Sequence, residues 1–420
     1  AQVTLVRRCR RLRLASPQQF RNSLLAGVGY LELANAGDFA ANVWNTTPLP
    51  RFAVALMAIG GSAALLMSFV AVRDLWLSWR NVQLLRAERS HLQQLLQQQT
   101  RQRKRQPSLQ VVAELETRIG VNTRELGSEI IDRIAMDILM GSGSILVGVG
   151  TIMAIWGADR RIFLTSNLLS GYIGNGLPAL FGVVNAGWSA YLWRRFSQHD
   201  HACSKDPSVA DFRPRLHLRF CRFKWHACIN GVNGVVAGAA SLVTATHWQG
   251  YVVLVLCIVT SILCNYFWRY RLGYDRPLIM TASPLAVSAD ENQLLTELQA
   301  VTQIHQMLVQ QRTVSLPLNT TAEPCMSSIL RFLVENDLFP GFCEWLAKNP
   351  RFPQEAKAKF FPPGEDFITI ATEDFLKISE ATEQLLLESC RQFLSDAGIE
   401  IFTGRERYLL ELVGYSIWRD

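Results

Sequence analysis

Apolar residues run without an Asp, Glu, Lys or Arg from Phe52 to Val72, Ile138 to Trp156, Leu168 to Leu192, Ile229 to Thr246 and Tyr251 to Trp268. Each run is close to the ~17–25 residues a helix needs to cross a hydrocarbon core. The pattern predicts an all-α fold: a multi-pass transmembrane helix bundle of about five spans, with a helical cytoplasmic loop and a small helical C-terminal domain. Glycines crowd the second and third runs, among them Gly141, Gly148, Gly171, Gly174, Gly182 and Gly187. In lipid, small residues let helix backbones approach closely, so these runs predict tight packing.

Between the apolar runs the period changes. Val82, Leu85, Leu92 and Leu96 share one helix face, with Arg89 interrupting the seam, and Pro107 marks a break before a second helix from about Leu109. The spacing predicts a short coiled coil or helical hairpin within a loop at 73–137. Beyond the last run, Leu294, Leu298, Val301, Ile304 and Leu308 line another helix side, and Thr403 with Glu406 forms a capping-box pattern. The expected division is a basic segment at 1–51 with an interfacial helix near its end, a bundle at 52–276, and an acidic helical domain at 277–420.

The net charge of +7 conceals an asymmetry: residues 1–276 are +16 and residues 277–420 are −9. Basic residues flanking apolar spans predict contact with membrane lipids, including anionic ones. They form no stripe on a soluble domain, so nucleic acid is not expected as a partner. Arg7, Arg8, Arg10, Arg11, Arg13 and Arg21 precede the first acid, Glu32. That composition matches either a basic juxtamembrane tail, the preferred reading, or a mitochondrial transit segment, which would place the chain in the inner membrane.

With five spans, the Arg-rich loops fall on one side, so the C-terminus is expected in the cytoplasm and the N-terminus opposite. A glycosylation sequon at Asn45 fits that arrangement, whereas the basic N-terminus does not. A sixth span at 24–44 would reconcile them. It would also put Glu32 and Asp38 in lipid at ~2.5–3.5 kcal/mol each, which favours an interfacial helix.

Candidate chemistry is sparse. His199, His201, Cys203, Cys221, His226 and Cys228 offer enough donors for a tetrahedral metal site, although their spacing matches no common motif. Arg101, Arg103, Lys104 and Arg105, and also Arg219, Arg222 and Lys224, are candidate lipid-contacting residues. Asn175, Asn185 and Asn233 could line a transport path or hydrogen-bond between helices. No phosphate loop, nucleophile elbow, HExxH or dinucleotide fingerprint occurs, so neither an enzyme nor a cofactor is expected. The leading expectation is a membrane scaffold that binds a protein partner through 73–137 or the C-terminal domain; a channel or small-solute transporter is the alternative.

Overall fold

The computed structural model describes residues 1–8, 11–15, 19–22, 25–44, 48–102, 109–279, 293–310 and 326–419. The chain is mostly helical with two small sheets, and it divides into two compact units. The larger holds residues 20–295 with 407–420, and the smaller holds residues 1–19 with 296–406. This differs from the expected boundaries, because the first residues of the chain fold with the C-terminal region.

In the larger unit, two short helices, α1 (Leu31–Asn35) and α2 (Phe39–Val43), precede α3 (Arg51–Gln102). At ~1.5 Å rise per residue, the 52 residues of α3 extend ~78 Å, more than twice a ~30 Å hydrocarbon core. Its second half therefore continues beyond the apolar run and packs against α4 (Leu109–Ser128). Leu85 meets Leu126, and Leu92 meets Val111 and Leu115, which makes α3 and α4 an antiparallel hairpin. The seam passes through buried Glu88, not Arg89.

A π-helical turn at Glu129–Ala135 carries α4 into α5 (Met136–Met153). Next come α6 (Arg160–Asn167), a π turn at Leu168–Gly174, α7 (Asn175–Lys205), α8 (Arg213–Thr244) and α9 (Gly250–Phe267). Four helical stretches among the described residues are long and apolar enough to cross a membrane: Arg51–Arg101, Val111–Trp156, Pro207–Thr244 and Gly250–Leu272. They contain four of the five expected spans. The remaining one, Leu168 to Leu192, is helical, but Asn175, Asn185 and its glycines dilute its apolarity.

The outward faces of these helices are unlike those of a water-soluble protein. Ile59 and Phe69 on α3 are 67% and 70% exposed, and Val252, Leu256, Val259 and Leu263 line one open face of α9. Soluble monomers rarely leave apolar patches of that extent bare. Exposed Trp76 and Trp79 follow the apolar part of α3, whereas Trp156 and Trp248 lie at the opposite ends of their runs. Such positions suit the two aromatic belts of a bilayer.

The segment at 25–43 does not lie across the end of the bundle. Val28 and Leu31 cluster with Ala71, Met136 and Met140; Ala34 packs on Ala64 and Val147; Ala40 and Ala41 pack on Ala53, Met57 and Ala154. Its neighbours on α3 thus recede from 71 to 53 as those on α5 and beyond advance from 136 to 154. It traverses the depth of the bundle, antiparallel to α3. Gly37 and Gly60 make this approach possible, since a Cβ on Gly60 would lie 2.4 Å from the Gly37 carbonyl oxygen. At the end of the traverse, Trp44 stands edge-on to both Phe39 and Phe52.

The two flanks of the bundle meet. Strand β3 (Gln19–Arg21) pairs with β4 (Asp275–Pro277), the Asn22 N–H donates to the Tyr274 carbonyl at 3.0 Å, and Trp268 Nε1 donates to the Asn22 carbonyl at 3.0 Å.

The smaller unit corrects the all-α expectation. Strands β1 (Gln2–Arg8) and β2 (Arg11–Leu14) form an antiparallel sheet with β5 (Phe367–Ala371), in the order β2-β1-β5. Val3 pairs with Ile370 and Leu5 with Ile368, and all four are buried on the alternating face a strand provides. Much of the Arg-rich segment is therefore strand, with β1 paired to β5. Arg7 donates to the carbonyls of Glu365 and Pro362, both at 3.0 Å. Helices α10 (Met326–Glu335), α11 (Phe339–Lys348), α12 (Gln354–Phe360) and α13 (Glu380–Phe393) surround an aromatic core in which Phe375 stacks on Phe360 and meets Phe339 and Phe342. Burial drives the Cys343 thiol up to about 12, consistent with an inert core cysteine.

Candidate functional site

The His and Cys residues proposed as metal ligands do not converge. Among the described residues, no group of three or more His, Cys, Asp or Glu could hold a metal ion. His199 and Cys203 are buried on α7, His201 is exposed, and Cys221, His226 and Cys228 lie on α8, with Cys228 exposed. His199 sits in an aromatic cage of Phe196, Phe220, Tyr415 and Trp418, with both ring nitrogens buried and unpartnered. Burial, and then the charges of Arg195 and Arg124, lower its pKa to about 3. His226 stacks against Phe267 and Trp268. The sequence spacing is a poor guide because the six residues divide between α7 and α8 and differ in burial.

The lipid-contact candidates divide. Arg103, Lys104 and Arg105 lie outside the described residues, and Arg101 is exposed at the end of α3. Arg219 is buried: its guanidinium lies over the rings of Phe223 at 4.5 Å and Tyr274 at 5.6 Å, so it faces protein and not lipid. Lys224 is ion-paired with Asp200 at 2.6 Å, and Arg222 is half-buried beside it in sequence.

Each Asn proposed for a transport path hydrogen-bonds across a helix interface. Asn185 and Asn230 are reciprocal partners, Asn185 Nδ2 donating to the Asn230 carbonyl at 3.2 Å and Asn230 Nδ2 to Asn185 Oδ1 at 3.1 Å. Asn233 donates to Ser261 Oγ at 2.8 Å and to the Cys257 carbonyl at 3.2 Å. Asn175 donates to Asp38 Oδ2 at 3.1 Å. Asp38, fully buried, also accepts from Tyr251 at 2.7 Å and from Asn42 at 3.0 Å. These donors supply in the bundle the hydrogen bonds that water would otherwise give a carboxylate.

Sequence reasoning missed a buried ionic network at the end of the bundle where its flanks meet. Arg276, just past the last helix, donates to Glu88 through both terminal nitrogens, each at 2.8 Å, and to Glu125 at 2.6 and 3.2 Å. Asn122 and the Ile279 N–H also donate to Glu88, at 2.8 and 3.1 Å. Alongside, Arg124 pairs bidentately with Glu411 and donates to the Tyr274 hydroxyl, which donates in turn to Glu125 at 2.6 Å. Burial disfavours the Arg276 cation, but Glu125, Tyr408 and Glu88 outweigh it and hold its pKa well above the ordinary value. One signal was legible: Glu88 stands three residues after Leu85 on the apolar stripe, a position a solvated charge would avoid.

A cavity of about 70 Å³ with mixed polar and apolar lining opens between the 25–35 segment and α5, α7, α8 and α9. Its lining includes polar Glu32, Asn185, His226, Asn230, Ser261 and Asn265 and apolar Val28, Met136, Met140 and Phe181. Asp132 and Arg133 also border it. The sequence hid this cavity because its acids come from the 25–43 segment and from the π turn, outside every uncharged run. No family model, no curated protein and no solved structure matches the chain.

Proposed function

We propose that the chain is a non-enzymatic membrane anchor of six crossings whose polar helical regions bind a protein partner. The observation that carries this reading is the mutual pairing of the bundle's polar side chains: Asn185 with Asn230, Asn233 with Ser261, and Asn175 with Asp38 and Tyr251 through Asp38. Groups so committed hold helices together; a solute path would need them facing a continuous channel. The buried Arg276–Glu88–Glu125 network supports the same reading, since it joins α3, α4 and the segment after α9 into one block.

Parity supports six crossings. Asn22 and Tyr274, on either side of the bundle, are hydrogen-bonded, which favours an even number of crossings between them. The five apolar runs leave one crossing missing, and the 25–43 traverse supplies it. This arrangement puts the basic N-terminal segment on the same face as the Arg-rich loops, in keeping with the positive-inside rule, which assigns that face to the cytoplasm. It removes the conflict between the N-terminal arginines and the Asn45 sequon, which lies outside the described residues, because the chain between α2 and α3 then belongs to the far face.

Reconstitution and crosslinking of the full chain test the functional reading. It expects no flux of small ions or solutes above empty liposomes, and crosslinks in native membrane that map to a fixed partner on the α3–α4 hairpin or on residues 296–406. Solute flux through the purified protein, or crosslinks confined to lipid-facing residues, would contradict it.

A further inference from the structure

We infer that the cavity beside Glu32 is a cation-binding site in which this carboxyl holds a proton or a small monovalent metal ion. Glu32 and Ser261 both line the cavity, and Glu32 Oε2 is buried without a hydrogen-bond partner. Asp38, two turns further along the same traverse, is the contrast: both its oxygens are occupied by protein donors.

A carboxylate left bare in a lipid-embedded bundle is strongly disfavoured, so the uncommitted oxygen calls for a bound positive charge. The nearest protein cation on the cavity wall, Arg133, reaches instead toward Asp74, at 3.7 Å. The remaining titratable neighbours are Asp132 on the π turn, His226 on α8, and Cys257 and Cys264 on α9. The oxygens of Ser261, Asn230 and Asn265 are the hard, neutral donors that a small cation takes alongside one carboxylate. The space suffices for several waters, each needing about 10–15 Å³ on the same measure. The site goes beyond the anchor reading, because an occupied pocket requires no flux.

The test is labelling of the intact protein in membranes with dicyclohexylcarbodiimide, an apolar reagent to which a protonated carboxyl adds, its proton passing to a carbodiimide nitrogen and its oxygen to the central carbon, with modified peptides quantified by mass spectrometry. Glu32 is expected to label at least about tenfold faster than Asp38, and its rate to fall about tenfold per unit as pH is raised above its titration. Slowing by sodium at fixed pH, with choline as the control, identifies a metal ion; sensitivity to pH alone identifies a proton. Glu32→Gln abolishes the signal at that peptide, and the wild-type measurement stands even if the variant misfolds. An unlabelled Glu32, a rate equal to that of Asp38, or a rate indifferent to both pH and sodium overturns the proposal.

Discussion

Asn22 donates its backbone N–H to the carbonyl of Tyr274 at 3.0 Å, joining the residue just before the first traverse of the bundle to the one just after the last. The contact closes the bundle into a loop whose ends share a face. Its neighbourhood is fixed by charge: two residues further on, in β4, Arg276 sits between Glu88 and Glu125.

Replacing Arg276 by Met leaves Glu88 and Glu125 buried without their counter-charge. Breaking such a pair from one side typically costs ~3–5 kcal/mol, whereas removing the charges together is close to neutral. Thermal unfolding in detergent should show a large loss of stability for Arg276→Met and substantial recovery when Glu88→Gln and Glu125→Gln are added. An Arg276→Met protein as stable as the native one would mean that the network contributes nothing.

The crossing of the 25–43 segment against α3 depends on two glycines. A Cβ on Gly60 would lie 2.4 Å from the Gly37 oxygen, so Gly60→Ala must push backbone apart and is expected to cost ~1–3 kcal/mol, the range for overpacking. Gly176 has open space around its Cβ position, and Gly176→Ala should be neutral or gain up to ~1 kcal/mol through helix propensity. Parallel melting curves of the two variants distinguish close packing from a general intolerance of substitution.

Acid should loosen the larger unit through His199. Its pKa is lowered to about 3 in the fold, from 6.5 for an ordinary histidine. Above about 6.5 both folded and unfolded forms are neutral, and the stability is fully present. As pH falls toward 3, only the unfolded chain takes up the proton, so stability declines by an amount on the order of a few kcal/mol. Melting temperatures followed from pH 7 to about 4 should fall less steeply in His199→Phe, which keeps the aromatic cage; equal slopes would show that His199 is not the responsible group.

The sequence revealed the apolar runs and the α3–α4 hairpin because both rest on local periodicity, as Val82, Leu85 and Leu92 illustrate. It hid the traverse at 25–43 because Glu32 and Asp38 are costly wherever they face lipid. In the fold, Asp38 instead meets Tyr251, Asn42 and Asn175, and Glu32 faces a cavity. The strand at Gln2–Arg8 escaped for a different reason: its arginines masked the alternation of Val3 and Leu5, and its partner strand begins at Phe367. Contacts so distant in sequence leave no local pattern. The His and Cys cluster had the opposite defect, being close in the chain but divergent once wound on α7 and α8.

The most direct test of the six-crossing bundle is labelling of single cysteines with a membrane-impermeant maleimide in sealed, oriented vesicles, in a background stripped of reactive native thiols. Arg21→Cys, Gln249→Cys and Asp275→Cys place probes at exposed positions before the first crossing, between α8 and α9, and after the last. The account predicts that Arg21→Cys and Asp275→Cys react from one face and Gln249→Cys only from the other. Reaction of Arg21→Cys and Asp275→Cys from opposite faces would contradict it.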